Sequence, residues 1–144
     1  MKKVLAIILA LVMALSLMAC GASAPQGDAA ADGDTPVVTD GATLGEGAHS
    51  FTLEIADLDG NTITATINTD EDTVGGALSK LDIIQGEESD FGLYIKTVNG
   101  VTADYDVDQT YWAFYIDGEY AQTGADMTAI TDGSVYKLAV EKAQ

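Results

Sequence analysis

The chain has 144 residues with 23 acidic side chains, six lysines and no arginine, which gives a formal net charge of -17 at pH 7. Such a chain lacks the basic surface that nucleic acids and anionic lipid headgroups require, so we expect no nucleic-acid partner. Its single cysteine excludes an intrachain disulfide and a cysteine-cluster metal site. The length allows one small domain once a targeting segment is set aside.

The first 20 residues have the pattern of a secretory leader. Lys2 and Lys3 precede an apolar run over residues 4–19, shorter than the roughly 20 residues that a transmembrane helix needs. Residues 17–21, Leu-Met-Ala-Cys-Gly, resemble a bacterial lipobox, whose cysteine becomes a lipidated N-terminus. We expect a signal peptide over residues 1–19 and lipidation (palmitate) of Cys20, which would anchor an extracytoplasmic protein to the bacterial cell membrane. The alternative is an ordinary signal peptide with an incidental cysteine.

Residues 20–49 form a segment of mostly small and polar residues. Such a segment cannot bury enough apolar surface to offset its chain entropy. We therefore predict a flexible acidic linker that joins the lipidated Cys20 to a folded domain over residues 50–144. His49, the only histidine, lies at the end of this linker, where we predict a solvent-exposed residue without a role.

The folded part begins with two predicted strands and a helix. Apolar and polar residues alternate over residues 51–56 and 63–67, on either side of Asp59-Gly60-Asn61, which predicts a hairpin. Thr73 is a predicted N-cap of a helix, and Gly86 is its predicted C-terminal stop. The apolar residues of the helix, at i, i+3, i+4 and i+7, are Val74, Ala77, Leu78 and Leu81.

Three more strands follow, over residues 93–98, 111–116 and 135–141, with a short return strand over residues 119–122. Asn-Gly and Asp-Gly pairs mark the turns between them. The order β-β-α-β-β-β predicts the α+β class, a single small β-grasp-like domain whose helix and sheet share one core.

Two acidic clusters begin like calcium-binding loops. In the cluster of Asp57, Asp59 and Asn61, Thr62 stands where the loop needs glycine; the cluster of Asp104, Asp106 and Asp108 fails in the same way. We therefore predict a hairpin turn and a solvated loop, and no metal site. The folded part also has no cysteine and no arginine, so we expect a protein that is not an enzyme and requires no cofactor.

Four aromatic residues lie close together in the segment Tyr111-Trp112-Ala113-Phe114-Tyr115. Strand alternation sends Trp112, Phe114 and Ile116 to one face, which we assign to the core. Tyr111 and Tyr115 then lie on the other face, where an apolar ring with a polar tip suits recognition.

Residues 91–100 (FGLYIKTVNG) and 111–119 (YWAFYIDGE), with Gly124 and residues 132–135 (DGSV), resemble the transcobalamin-like C-terminal domain. The resemblance covers roughly residues 51–142. It implies a β-grasp fold and a ligand-binding role, since in animal carriers this domain covers one face of cobalamin. By position it implies Tyr94, Tyr111, Trp112 and Ala113 as ligand-binding residues, and we add the exposed Tyr115.

These observations together predict a lipid-anchored binding module outside the cytoplasm. The resemblance implies cobalamin or another corrinoid as a candidate ligand, and a corrinoid uptake transporter as a candidate partner. The alternative is a cell-envelope interaction or adhesion module that binds a protein or a glycan through the same exposed tyrosines, without a small-molecule ligand.

Overall fold

The computed structural model of the protein describes residues 38–144. The predicted signal peptide, the predicted lipidation site Cys20 and the linker up to residue 37 lie outside the described residues. Within residues 38–144, no helix has the length and apolar character needed to span a membrane.

The described residues form nine strands and three short helices. The helices are α1 (Val74–Lys80), α2 (Tyr105–Asp108) and a 3-10 helix (Ala125–Met127). In chain order the strands are β1 (Thr43–Leu44), β2 (His49–Ala56), β3 (Thr62–Thr69), β4 (Ile84–Ser89), β5 (Gly92–Val98), β6 (Val101–Thr102), β7 (Thr110–Ile116), β8 (Glu119–Tyr120) and β9 (Val135–Lys142).

The strands form two sheets. The larger sheet has the spatial order β1-β3-β2-β9-β7-β8, and β4, β5 and β6 form a separate antiparallel sheet. The β2–β3 hairpin and the β7–β9 pair are antiparallel, whereas β2 and β9 run parallel at the centre of the larger sheet. The domain is therefore a sheet-rich α+β structure with more strands than the sequence predicts.

One hydrophobic core fills the space between the larger sheet, helix α1 and the smaller sheet. Alternate residues of the four central strands face it, so Leu53, Ile67 and Leu138 are fully buried. Helix α1 contributes Val74, Ala77 and Leu78, three of its four predicted apolar positions. The Thr73 hydroxyl accepts a hydrogen bond from the Gly76 N–H, which confirms Thr73 as the N-cap.

Residues 38–49, which composition assigns to the linker, are part of the folded domain. Val38 is buried, and the Asn99 side chain bonds both its N–H, at 2.7 Å, and its C=O, at 2.9 Å. Thr43 and Leu44 then pair in parallel with Thr66 and Ile67. Partners distant in sequence therefore order this stretch despite its polar composition.

The prediction of Gly86 as the helix stop is wrong. Helix α1 ends at Lys80, and Gly86 lies inside strand β4, which the sequence does not predict. At this position β4 bulges against β5, and a Cβ would lie 2.1 Å from the Tyr94 carbonyl oxygen. The glycine allows this close approach of two backbones.

Candidate binding groove

An aromatic groove of about 330 Å³ opens between strands β5 and β7 and the segment after β8. Trp112 and Phe114 of β7 and Ile95 of β5 line its apolar floor, and each is only 8% exposed. Because β5 and β7 belong to different sheets, the groove lies along the line where the two sheets meet. We refer to this site as the groove.

Hydrogen bonds and ring packing hold the two floor aromatics in place. The Trp112 indole Nε1 donates to the Val101 carbonyl of β6 at 3.2 Å, which ties the larger sheet to the smaller one. The Phe114 ring stacks on Tyr136 with centroids 6.1 Å apart, and Phe51 contacts the same tyrosine edge-on. The floor is therefore preorganised by core packing before any ligand arrives.

Exposed aromatic residues lie beside this floor. Tyr94 and Tyr120 line the groove while much of each residue is in solvent. Phe91, in the turn between β4 and β5, is 90% exposed, and its carbonyl lies 3.8 Å from where a Cβ on Gly124 would stand. Exposed aromatic groups beside a concave surface are frequent at ligand sites.

The segment after β8 closes the other side of the groove and is held by hydrogen bonds. The Ala121 N–H donates to the Phe114 carbonyl at 2.9 Å, and the Thr128 hydroxyl donates to the Gly124 carbonyl at 2.9 Å. The sequence reasoning missed this wall because residues 121–125 show no periodicity. The signal that could have found it is Gly124, which is one of the residues that carry the family resemblance.

The structure separates the predicted ligand-binding residues into two groups, one at the groove and one on the opposite face of the larger sheet. Tyr94 and Trp112 both line the groove. Tyr111, Ala113 and Tyr115 lie on the opposite face, since they alternate with Trp112 and Phe114 along β7. The prediction that Trp112 and Phe114 face the core is confirmed by their burial.

A tyrosine cluster occupies that opposite face around Glu141 of β9. The Tyr111 hydroxyl donates to Glu141 Oε2 at 3.1 Å, and the Tyr115 hydroxyl donates to Oε1 of the same carboxylate. The Tyr120 ring meets Tyr115 edge-on with centroids 5.5 Å apart. The bond to Glu141 raises the pKa of Tyr115 to about 12 and also raises that of Tyr111, because a carboxylate acceptor favours the protonated phenol.

A second pocket of about 460 Å³ shares Leu93 with the groove in its lining. Its lining includes Asp126, Glu88 and Ser89. Asp126 Oδ1 is buried and has no hydrogen-bond partner among residues 38–144. In the same part of the chain, no three side chains of the metal-ligating kind come together.

The two acidic clusters form turns and caps. The Asp57 carboxylate accepts bonds from Asn61 Nδ2 and from the Asp59 and Asn61 N–H groups, and the Asn61 side-chain bond is the main cause that lowers the pKa of Asp57. Asp104 caps helix α2, and Asp108 accepts bonds from Thr110. The carboxylates of Asp57, Asp104 and Asp108 are thus engaged by neighbouring donors of the chain.

Comparisons with known proteins add a family match and two structural likenesses. Residues 71–141 match the domain of unknown function DUF4430. A crystal structure from Ruminococcus gnavus ATCC 29149, provisionally described as a metal binding protein, is 29% identical, with a TM-score of 0.64 over 67% of this chain and 100% of that one. No curated protein sequence matches the chain.

The second likeness is to haptocorrin in complex with Cbi, which denotes cobinamide. The TM-score is 0.54 at 20% identity, over 70% of this chain and 27% of haptocorrin. At that identity the likeness shows the fold alone, and this chain corresponds to about a quarter of haptocorrin. The predicted similarity to the cobalamin-carrier domain is therefore confirmed at the level of the fold.

Proposed function

We propose that the protein is an extracytoplasmic binding module whose groove takes one face of a corrinoid or a similar flat, amide-fringed ring. The observation that carries this proposal is the groove itself, with Trp112 and Phe114 as its floor and exposed Tyr94 and Tyr120 beside it. The likeness of the fold to haptocorrin crystallised with Cbi supports it. The role is binding and not catalysis, and the arrangement of the domain is of the β-grasp kind.

The chemistry of the groove suits such a ligand. A corrin macrocycle is a broad ring that packs against flat aromatic and aliphatic side chains such as Trp112 and Ile95. Its peripheral amides need uncharged donors and acceptors, which the Tyr94 hydroxyl and the backbone of residues 121–124 would supply. The net charge of -17 disfavours the phosphate of the cobalamin nucleotide loop. We therefore expect cobinamide, which lacks that phosphate, to bind at least as tightly as cobalamin.

Titration of the full-length protein with dicyanocobinamide and with cyanocobalamin tests the proposal. Trp112 is the only tryptophan and lies in the floor, so its fluorescence should be quenched as the corrin absorbance shifts. Tyr94→Ala should weaken binding about tenfold, a loss of roughly 1.4 kcal/mol. The matched control is Tyr111→Ala on the opposite face, which should change the affinity less than about twofold.

Two results would count against the groove. If neither corrinoid binds at concentrations up to the millimolar range, this ligand class is wrong. If Tyr111→Ala weakens binding while Tyr94→Ala does not, the ligand sits on the tyrosine cluster instead. The paired design separates a wrong ligand from a wrong face.

The anchor is a second part of the proposal, and the lipobox-like residues 17–21 support it. The thiol of Cys20 would receive the lipid and hold the domain at the outer side of the cell membrane. In bacteria grown with a labelled fatty acid, Cys20→Ala should abolish labelling, because the methyl side chain of alanine offers no thiol. Unchanged labelling of Cys20→Ala would refute the anchor. The conservative control Cys20→Ser replaces only the thiol by a hydroxyl and should also lack the label.

A further inference from the structure

The outer face of the larger sheet, on the side away from helix α1, is a second surface with a composition of its own. Cross-strand pairing places Thr52, Thr62, Thr64 and Thr66 on this face at the β2–β3 side. The tyrosine cluster of Tyr111, Tyr115 and Tyr120 occupies the β7–β8 side. The side chains therefore present a row of hydroxyl groups next to a group of aromatic rings.

This outer face is nearly free of the charge that covers the rest of the domain. Residues 38–144 contain 20 acidic residues and four lysines. Only Glu54 and Glu141 among those acids lie on the outer face, and Lys137 is the register partner of Glu54. The other acids lie in turns and loops, in or beside the short helices and along β4, and Glu119 of β8 pairs with Ile116, which alternates with the outward-facing Tyr115. The remaining acidic surface would repel acidic partners and attract basic ones. The nearly neutral outer face instead suits a partner without charge.

The tyrosine cluster is fixed in a geometry that offers ring surface. Tyr115 is the register partner of Lys137, four residues before Glu141, so its side chain must run along the sheet to reach that carboxylate. Ala113 and Ala139 lie between these positions and are buried although they face outwards. A ring that covers small side chains and is held at its hydroxyl loses little conformational entropy when a partner stacks on it.

We propose that the outer face binds an uncharged glycan strand, with sugar rings stacked on the tyrosine cluster and sugar hydroxyls bonded to the threonine row. This surface shares only Tyr120 with the groove, where β8 borders both, and it does not depend on the corrinoid proposal. The hydroxyls of a glycan and bridging water molecules can hydrogen-bond to the threonine hydroxyls. The threonines would therefore keep hydrogen-bond partners in the complex.

The same observations argue against a second copy of the chain as the occupant. The four long strands of the larger sheet, about 4.8 Å apart and about 25 Å long, give a face of roughly 500 Å². A stable protein complex typically buries about 800 Å² per partner. A dry protein contact would also bury the threonine hydroxyls and the charges of Glu54 and Lys137 at a cost in desolvation.

Calorimetric titration of the full-length protein with chitohexaose, cellohexaose and maltohexaose tests this proposal, in a detergent without a sugar headgroup. At least one oligosaccharide should bind. Its affinity should change less than about twofold with salt, because these oligosaccharides carry no charge for salt to screen. Tyr115→Ala and Tyr111→Ala should each weaken that binding about tenfold. The control Tyr94→Ala, in the groove, should leave it unchanged.

Two further variants keep the test informative if Tyr115→Ala does not fold. Tyr115→Phe keeps the ring but loses the bond to Glu141, and it should weaken binding by a few-fold. Thr52→Val keeps the β-branched shape without the hydroxyl and should weaken binding to a similar extent. Binding of none of the three glycans, an equal effect of Tyr94→Ala, or a dimer in sedimentation equilibrium that Tyr115→Ala dissociates would each overturn the proposal.

Discussion

The two faces of strand β7 hold their aromatic residues by different means. On the groove face, Trp112 and Phe114 are held by core packing and by one bond to the backbone of the smaller sheet. On the outer face, Tyr111 and Tyr115 are held by a single carboxylate, Glu141, in partial contact with solvent. Core packing and the proposed ligand contact are therefore combined on the groove face, whereas the outer face can change with a smaller effect on the fold.

Phe114→Ala should give the largest effect and tests the groove face. It removes a buried ring that stacks on Tyr136, so we expect a loss of about 3–5 kcal/mol in the free energy of unfolding. Tyr115→Ala, the same truncation one position further along the strand, should cost less, about 1–2 kcal/mol, because it removes a half-buried ring and one hydrogen bond. Chemical denaturation of both variants measures the difference, and equal losses would remove the distinction between the faces.

Trp112→Phe should have an intermediate effect. It removes the Nε1 donor and leaves the Val101 carbonyl of β6 without that partner, for an expected loss of about 1–2 kcal/mol. Because this bond joins the two sheets, hydrogen exchange should increase first in β6 and then at the β5 side of the groove. If hydrogen exchange instead increases equally in all strands, the Trp112–Val101 hydrogen bond does not stabilise the contact between the two sheets locally.

The sequence predicts the two faces of β7 because strict alternation on a one-sided sheet leaves only two arrangements. It does not predict β4, whose residues after Ile84 are all exposed and so show no apolar periodicity. It also misassigns residues 38–49, since the ordering of Val38 depends on the side chain of Asn99, 61 residues away.

The groove could be predicted only in part. Trp112 and Tyr94 are recognisable from the resemblance, but they come together because two separate sheets meet, and a strand pattern carries no information on which sheets pack. The wall formed by residues 121–124 depends on backbone bonds that any residue type can make. Local patterns therefore predict the elements of this domain, while the concave site arises from their packing.

The smallest effect concerns the pH dependence of the outer face. The bond to Glu141 raises the pKa of Tyr115 to about 12, above the value near 10 of an unfolded tyrosine. The folded state therefore binds the phenolic proton more tightly. The corresponding stabilisation is fully present below about pH 10 and is lost as the pH rises through about 12.

Tyr115→Phe should remove this contribution, so its stability should fall less steeply between pH 10 and about 12 than that of the parent protein. The tyrosinate absorbance of the variant should also lack the phenol whose pKa is about 12. Thr52→Val on the same face is the matched control, since it also removes a hydroxyl but no titratable group, and it should keep the pH dependence of the parent protein. If the stability of Tyr115→Phe follows the parent curve throughout this range, the hydrogen bond to Glu141 does not fix the Tyr115 ring. The inference of a fixed tyrosine cluster would then be wrong.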